Sequence, residues 1–449
     1  MKNVGQYMEN YRAEMIDALG KLVACPSVRG DAAPNMPFGQ GNRDVLDRFL
    51  AIGESFGMKT FDADGYAGHV EYGEGEELAA ALAHLDVVPV GDLAKWDTDP
   101  FVMTEKDGVL YGRGVGDDKG AAVSALFALK MFKDQGLKLD RRIRVIAGCA
   151  EETASNDLEY YFGKTETPAL SFTPDAGFPI INREKGRLVY KFYMPYEGDS
   201  VIAELRAGTA ENVVIDKCAA YTNLTELPVV EAPVTAELEN GKVVLKTVGK
   251  SAHGAAPFDG INAASLMFKT LYEIETNAAI KTFLAFAVKC IGSEWDGLSM
   301  GVKMSDEESG NLTANLGLFS IADGKCEATI DIRYPVTKVG KDVVLALDHT
   351  AKENSVFGAV GSCGNPLYVP ADSELVKKLS EAYEMHTGKP SIPKAIGGGT
   401  YAKSLPNGTC VAFGGVGGGA HQPNEYVNID EFMECAKIIA QAMYNIAMK

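Results

Sequence analysis

Hydrophobic positions in the N-terminal part of the chain follow two patterns, a helical spacing and short uninterrupted apolar runs. The segment MIDALGKLVACPSV has apolar residues at helical spacing and stops at Pro26, and residues 41–57 suggest a second helix. Apolar runs predict buried strands at EELAAALAHLDVV, RRIRVIAGCA and ALSFTPD, and the segment GAAVSALFALKMFKDQG predicts a helix that stops at a glycine. This order predicts an α/β domain with a central, mostly parallel sheet.

The pattern changes near residue 187. Alternating positions in LVYKFYMP and VTAELENGKVVLKTVG predict antiparallel strands with a hairpin turn at Asn240-Gly241, and a helix follows at NAASLMFKTLYEIE. The α/β style returns with a helix at SELVKKLSEAYEMHTG, a turn at GGGTYAK, a strand at TCVAFGGV, a loop at GGGAHQPNE and a helix from Asp430. We therefore expect an α+β domain at 187–379, inserted into a first domain formed by 1–186 and 380–449.

Acidic and histidine side chains fall at the ends of the predicted strands and in the turns beside them. They are His84, Asp86, Asp117, Asp118, Glu151, Glu152, Asp175 and His421. The working crevice of an open α/β sheet lies outside the carboxyl ends of its strands, so one cleft could collect all of these side chains.

These residue types suit a hydrolytic metal site. Two histidines and several carboxylates, without cysteine, suit zinc, manganese or cobalt. Two closely spaced cations need a bridging carboxylate and acidify a water, and a carboxylate that is not a ligand must take the proton. The Glu151–Glu152 pair can divide the tasks of base and ligand. Each piece alone has an ordinary explanation, since H-x-D is often incidental and a Glu-Glu pair is usually solvated; their order together is far more specific.

Composition narrows the function classes. A chain of 449 residues suggests two or three domains, and a formal net charge of −18 makes nucleic acid a poor partner. The 8 cysteines form no C-x-x-C pair, so we expect buried free thiols in a reducing compartment. The N-terminus lacks the apolar core of a signal peptide, and no apolar run has membrane-spanning length. We expect a cytoplasmic protein without a membrane partner.

The ordered blocks resemble a known family. AHLDVVPVGD, WDTDPF, YGRGVGDDKG, EET, TPDAGFP and AHQPNE occur in the order seen in the co-catalytic zinc peptidases, which include carnosinases, aminoacylases, acetylornithine deacetylases and carboxypeptidase G. WDTDPF, DDKG, TPDAGFP, IRYP and GGGTYAK look most like the branch of dipeptidase V. The resemblance implies a catalytic domain with a mostly parallel sheet and an inserted α+β lid domain.

The resemblance also implies a role for each residue of the predicted metal site. His84 and Asp175 would hold one divalent ion, Glu152 and His421 the other, and Asp117 would bridge the pair. Glu151 would be the general base. Asp86 would hydrogen-bond the His84 ring and fix its tautomer. The peptide after the bridging aspartate is typically cis in this family.

Further residues resemble the family's substrate contacts. His253 would reach the active site and stabilise the oxyanion, Asn212 and Arg333 would hold the substrate, and Gly399 and Thr400 of GGGTYAK would bind it as well. Without the motif, His253 is a turn histidine and Arg333 a strand-edge arginine paired to a surface acid. His69, His349 and His386 match no motif.

Some positions depart from the family's pattern. Ala121 stands where the branch usually has proline, Cys149 and Ala150 stand where a polar pair is commoner, and Lys403 stands where arginine is usual. None of these departures removes a predicted ligand. Lys403 leaves the details of substrate binding open.

The prediction that follows is a metallopeptidase that cuts dipeptides with two divalent ions, zinc ahead of manganese or cobalt. A small peptide is the expected partner, and the large inserted region resembles the lids of family members that work as monomers, which implies a monomer rather than a dimer. The nearest alternative is an N-acyl-amino-acid amidohydrolase with the same metals, separable by activity on Ala-Ala or β-Ala-His against N-acetyl amino acids. A metal-binding protein without catalysis is a third hypothesis, against which the spare base Glu151 argues.

Overall fold

The computed structural model describes residues 2–153 and 156–449, and over these the chain forms two compact units. The first unit comprises the chain up to Asn182, Leu367–Lys394 and Gly399–Lys449. The second comprises Arg183–Pro366 and the short segment Ala395–Gly398. The second unit is thus inserted into the first. Its main segment runs over Arg183–Pro366, whereas the expected bounds are 187 and 379.

The expected second boundary would cut through a helix. Helix Glu374–Thr387 lies wholly in the first unit, where Leu375, Val376 and Leu379 belong to the hydrophobic core. Because the apolar face of this helix packs into a single core, the boundary cannot divide the helix. It lies earlier in the chain, after Pro366.

The described helices have the following bounds: α1 Arg12–Val23, α2 Gln40–Ser55, α3 Lys119–Asp134, α4 Asn156–Phe162, α5 Ala263–Ile274, α6 Ala278–Phe286, α7 Gly340–Glu353, α8 Glu374–Thr387 and α9 Ile429–Ala447. Short 3-10 turns occur at Gly5–Tyr11, Leu93–Lys95, Pro257–Asp259 and Tyr401–Ser404, and a π turn at Ala287–Ile291. In the described ranges no helix has both the length and the apolar character required to cross a bilayer.

The strands divide by unit. In the N-terminal part they are β1 Lys59–Asp62, β2 Ala67–Tyr72, β3 Leu78–His84, β4 Thr104–Lys106, β5 Val109–Tyr111, β6 Arg142–Gly148, β7 Leu170–Thr173 and β8 Ile181–Glu184. In the second unit they are β9 Gly186–Pro195, β10 Ile202–Ala207, β11 Lys217–Thr222, β12 Thr235–Glu239, β13 Lys242–Val248, β14 Ser305–Asp306, β15 Gly310–Asn311, β16 Thr313–Ala322, β17 Lys325–Tyr334 and β18 Phe357–Gly364. The C-terminal part adds β19 Leu367–Tyr368, β20 Lys394–Ile396, β21 Cys410–Ala412 and β22 Tyr426–Asn428.

The main sheet of the first unit is parallel in its centre. Strands β6, β3, β7 and β21 are neighbours in that order, and each neighbouring pair is parallel. Strands β1, β2 and β8 add antiparallel pairs on either side. The α/β class is confirmed, but the sheet is mixed, because β1 and β2 are joined by a short turn that permits only antiparallel pairing.

The centre of this sheet is apolar on both faces. Every residue of β3 is buried, and α3 is buried from Lys119 to Leu129, because its small and apolar residues run round the whole helix. A buried parallel centre brings the carboxyl ends of its strands to one edge, which carries the candidate site.

The second unit is an antiparallel sheet with helices. Its strand order is β12-β13-β11-β10-β16-β17-β9-β18, and α5, α6 and α7 contribute to its own core. The predicted hairpin forms at Asn240-Gly241, where both residues have positive φ angles of 51° and 76°. This is the expected α+β pattern.

No disulfide joins the cysteines of the described residues. Seven of the eight are buried, as expected for thiols in apolar surroundings, and Cys363 is exposed. Its neighbours on β18 are exposed too, which accounts for this one departure.

Candidate metal centre

Three strand ends supply the first part of the site. His84 is the last residue of β3, Glu151 and Glu152 follow β6, and Asp175 follows β7. Since these strands pair in parallel, their carboxyl ends share one edge. The polar side chains that follow each hydrophobic run therefore lie at this edge.

Two loops bring the remaining predicted ligands to the same edge. Asp117 lies two residues before α3, and His421 lies in the loop between β21 and β22. His421 has a φ of 63°, a left-handed conformation that side-chain-bearing residues rarely adopt and that recurs at functional sites.

Glycines make the turn before His421 possible. Gly414, Gly415, Gly417 and Gly419 all have positive φ angles between 74° and 117°. Such a succession suits glycine, which has no Cβ to clash. The segment is therefore a tight loop beside the site, as its position in the sequence suggested.

The two histidines meet on one carboxylate. Nε2 of His84 lies 3.0 Å from Oδ1 of Asp117, and Nε2 of His421 lies 3.2 Å from Oδ2 of the same residue. Asp117 thus offers one oxygen to each ring, which is the arrangement of a bridging ligand.

Each histidine also faces a second carboxylate. Nε2 of His84 lies 3.8 Å from Oδ1 of Asp175, and Nε2 of His421 lies 2.9 Å from Oε1 of Glu152. Ligand atoms of His84, Asp117 and Glu152 lie within 4.8 Å of one another, as do those of His84, Glu151 and Asp175. The structure therefore gathers all five predicted ligands and Glu151.

Asp86 contacts both the His84 ring and the backbone of the Glu151–Glu152 pair. Nδ1 of His84 lies 3.0 Å from the backbone oxygen of Asp86 and 3.5 Å from its carboxylate. The carboxylate accepts the backbone N–H groups of Glu151 and Glu152, each at 3.1 Å. Asp86 thus contacts the His84 ring at Nδ1, as expected, with its backbone oxygen nearer than its carboxylate.

The Asp117–Asp118 peptide is cis, as the resemblance implies. The Asp118 side chain is buried and accepts the backbone N–H of His84 at 3.3 Å. Burial and the neighbouring Asp175 raise the pKa of Asp118 well above its usual range.

Burial and crowding dominate the electrostatics of the carboxylates. Burial, reinforced by the charge of Asp175, raises the pKa of Glu151 well above its usual range. Burial likewise raises the pKa of Asp175. A carboxylate that readily takes a proton suits a general base.

The histidines respond to their acidic neighbours. Burial opposes protonation of His84, but hydrogen bonds to Asp117 and Asp175 raise its pKa well above the ordinary value. Hydrogen bonds to Asp117 and Glu152 raise the pKa of His421 to about 10. Both upward shifts have one cause, the carboxylates that surround the two rings.

The donor set fits divalent cations. Two imidazoles and carboxylate oxygens are the ligands that zinc and manganese accept, and the crowded acids supply the negative charge. A cavity of about 200 Å³ lies beside Asp117 and Asp175.

The predicted lid residues lie in the second unit. The backbone N–H of Gly254 donates to the backbone oxygen of Asn212 at 2.6 Å, so His253 and Asn212 lie on adjoining segments. The backbone N–H of Ala255 donates to Nδ1 of His253 at 3.0 Å, which leaves the ring proton on Nε2.

Arg333 is paired within the second unit. Its guanidinium donates to Oδ2 of Asp331 through Nη2 at 2.9 Å and to the oxygen of Gly397 through Nη1 at 2.9 Å. The acid beside it is buried, not on the surface. Gly399 and Thr400 belong to the first unit, and the Thr400 hydroxyl accepts the backbone N–H of Ala402.

Glu425 is a supporting residue that the sequence did not single out. It is buried and accepts backbone N–H groups of Gly114, Gly116 and Asp117 at 3.0 to 3.1 Å, as well as Arg113 at 2.7 Å. Glu425 is the last residue of the block AHQPNE, so its place in a recognised motif could have marked it as a candidate.

Tyr401 and Asp157 were missed for different reasons. Tyr401 lies in GGGTYAK, directly after the predicted substrate residues Gly399 and Thr400. Asp157 lies in no motif. The buried Tyr401 hydroxyl donates to its carboxylate, a contact between distant segments that spacing cannot reveal.

Comparisons with known proteins agree on one family. The family model of "Peptidase family M20/M25/M40" matches residues 80–445 of the chain. The chain is similar to the protein named "Putative dipeptidase YtjP" of Bacillus subtilis (strain 168), with 37% identity over 437 residues that cover 93% of each protein.

Solved structures share the fold. The M20 family metallo-carboxypeptidase Sso-CP2 from Sulfolobus solfataricus superimposes with a TM-score of 0.62 at 17% identity, over 97% of this chain and 99% of that one. Human carnosine dipeptidase 1 gives a TM-score of 0.60 at 16% identity, over 99% of both chains. At these identities the similarity concerns the fold.

Proposed function

The chain belongs to peptidase family M20/M25/M40, and from this premise we propose that it is a metal-dependent dipeptidase that cleaves short unblocked peptides. Family membership makes it a hydrolase acting on peptide bonds. The relative from Bacillus subtilis is named for dipeptide cleavage, and this name favours a peptide over an N-acyl amino acid as substrate.

One observation carries the proposal. His84 and His421, far apart in the chain, each bring Nε2 to a separate oxygen of Asp117, at 3.0 and 3.2 Å. A carboxylate shared by two imidazoles supports a pair of cations, one on each side. His84 and Asp175 would hold the first, and His421 and Glu152 the second.

When bound, two divalent cations supply Lewis-acid polarisation of the scissile carbonyl and lower the pKa of the attacking water. Glu151 accepts the proton of that water and returns it to the leaving amine. Its pKa, raised by burial, makes the carboxylate a stronger base than a solvated one.

The second unit would supply substrate contacts. Nδ1 of His253 accepts the backbone N–H of Ala255, so in the neutral ring the proton lies on Nε2, and on the family resemblance we assign this nitrogen to the developing oxyanion. Asp331 and Gly397 hold the Arg333 guanidinium in place, and this support suits a role in holding a substrate carboxylate. We assign Asn212, Gly399 and Thr400 to substrate binding on the family resemblance. Zinc as the metal, a monomeric state and a cytoplasmic location belong to the proposal as well.

Replacing Glu151 tests the reaction scheme. In Glu151→Gln the amide cannot accept the proton, so kcat on Ala-Ala should fall roughly 10²- to 10⁴-fold, the usual contribution of a general base. Bound metal, measured by plasma emission spectroscopy, should stay unchanged because Glu151 is not an assigned ligand.

The exposed Glu159 on α4 offers a matched control. Glu159→Gln should retain the wild-type kcat. A Glu151→Gln variant as active as this control would overturn the role of Glu151, and a wild-type enzyme that cleaves N-acetyl amino acids but neither Ala-Ala nor β-Ala-His would overturn the dipeptidase assignment.

A further inference from the structure

Buried carboxylates hold the backbone of the segment 149–152. Oδ2 of Asp157 accepts the N–H groups of Cys149 at 2.7 Å and Ala150 at 2.8 Å. Asp86 accepts the next two N–H groups, those of Glu151 and Glu152. Four consecutive N–H groups therefore point at only two carboxylates.

Tyr401 completes this arrangement from the other side. Its hydroxyl donates to the same oxygen, Oδ2 of Asp157, and both side chains are buried. A Cβ placed on Gly148 would lie 2.1 Å from the Tyr401 hydroxyl and 2.5 Å from Oδ2 of Asp157. The contact therefore lies directly against Gly148 at the end of β6, where a larger residue would clash with it.

Tyr401 also contacts one assigned ligand and follows an assigned substrate turn. Its ring lies edge-on to the His84 ring, with centroids 6.3 Å apart and an interplanar angle of 89°. It directly follows Gly399 and Thr400. One side chain thus joins the turn, the histidine and the Glu151–Glu152 segment.

We propose that Asp157 and Tyr401 are positioning residues that fix the Glu151–Glu152 backbone and thereby aim the base and the ligand at the metal pair. The inference rests on the proposed function. A carboxylate that accepts charge-assisted hydrogen bonds in a dry environment holds its donors firmly. Misplacement by about 1 Å can cost on the order of 10²-fold in rate, so small backbone shifts matter.

The test compares Tyr401→Phe with Tyr161→Phe. Tyr161 is a matched control because it is buried on α4, the helix that carries Asp157, and its hydroxyl bonds Nδ1 of His69 at 2.7 Å. In Tyr401→Phe, kcat on Ala-Ala should fall roughly 10- to 100-fold with KM within about twofold, as for other residues that orient metal ligands. Asp157→Asn should give the same split. In Tyr161→Phe both constants should stay at wild-type values.

A second readout does not depend on turnover. With Co²⁺ in the site, the visible absorption spectrum reports ligand geometry, and it should change in Tyr401→Phe and Asp157→Asn but not in Tyr161→Phe. If wild-type protein cleaved no dipeptide, the proposed function would fail while this spectrum still tested the positioning role. Tyr401→Phe and Asp157→Asn variants that match Tyr161→Phe in kcat and in the Co²⁺ spectrum would overturn the inference.

Discussion

The pKa values of two buried histidines in the first unit, His84 and His69, are shifted in opposite directions. His84 and His69 are both buried, but carboxylates surround His84 and raise its pKa. At His69 burial lowers the pKa to about 3, assisted by the charge of Arg144. Neighbours, not residue type, separate an assigned ligand from a core histidine, which is why only the surrounding motif could distinguish them in the sequence.

His69 should make the protein sensitive to acid. Its pKa is about 3 in the folded state and near the ordinary 6.5 when unfolded, so protonation favours unfolding below pH 6.5. The stability it protects is fully present above pH 6.5 and is lost as the pH falls towards 3, at about 1.4 kcal/mol per pH unit. The free energy of unfolding, measured with urea between pH 4 and 6, should fall less steeply with decreasing pH in His69→Gln than in wild type. The difference in slope should be about 1.4 kcal/mol per pH unit.

The exposed His349 on α7 is the control for this experiment. His349→Gln should keep the wild-type slope. Equal slopes for His69→Gln and wild type would show that His69 is not held neutral by the fold.

At the scale of elements, the loop before α3 depends on a distant segment. Glu425, just before β22, accepts the N–H groups of Gly114, Gly116 and Asp117 and pairs with the buried Arg113. The assigned bridging ligand is therefore oriented by a residue more than three hundred positions away.

Removing the Glu425 carboxylate should be costly. In Glu425→Ala, Arg113 is left buried without its counter-charge, so the free energy of unfolding should fall by about 3–5 kcal/mol, measured from urea midpoints. The exposed pair Lys21–Asp17 gives the contrast, and Asp17→Asn should cost less than about 1 kcal/mol. Similar losses in the two variants would contradict a structural role for Glu425.

The sequence predicted those elements whose hydrophobic pattern is continuous. Strands β3, β6 and β7 and helices α3, α5 and α9 lie where the patterns indicated them. Helix α7 was not predicted, although Val343 and Leu347 have helical spacing, because the surrounding strands dominated the interpretation. The antiparallel strands on either side of the parallel centre were not predicted either, since the direction of pairing depends on partner strands that local patterns do not encode.

At the scale of the whole molecule, each unit has its own hydrophobic core. The insertion of one unit into the other could be predicted from the change between strand and helix patterns. The second boundary of the inserted unit could not be predicted, because the residues around Pro366 do not mark the boundary in the sequence.

The gathering of the five proposed ligands at one place could be predicted because each of them ends a strand or lies in a recognisable block. The supporting contacts could not, since Asp157 and Tyr401 meet only through tertiary packing. Asp86 combines the two cases: its contact with the His84 ring was expected, but the hydrogen bonds of its carboxylate to the backbone of Glu151 and Glu152 were not.

The proposed peptidase activity requires a pair of cations held between His84, Asp117, Glu152, Asp175 and His421. The most direct test strips the protein of metal with a chelator and adds zinc stepwise, with bound zinc and Ala-Ala hydrolysis measured at each step. We predict an inactive metal-free protein and full activity on binding of about two zinc ions per chain, with the second ion lost in Asp117→Asn. Full activity in the metal-free protein, or no zinc bound at these residues, would contradict it.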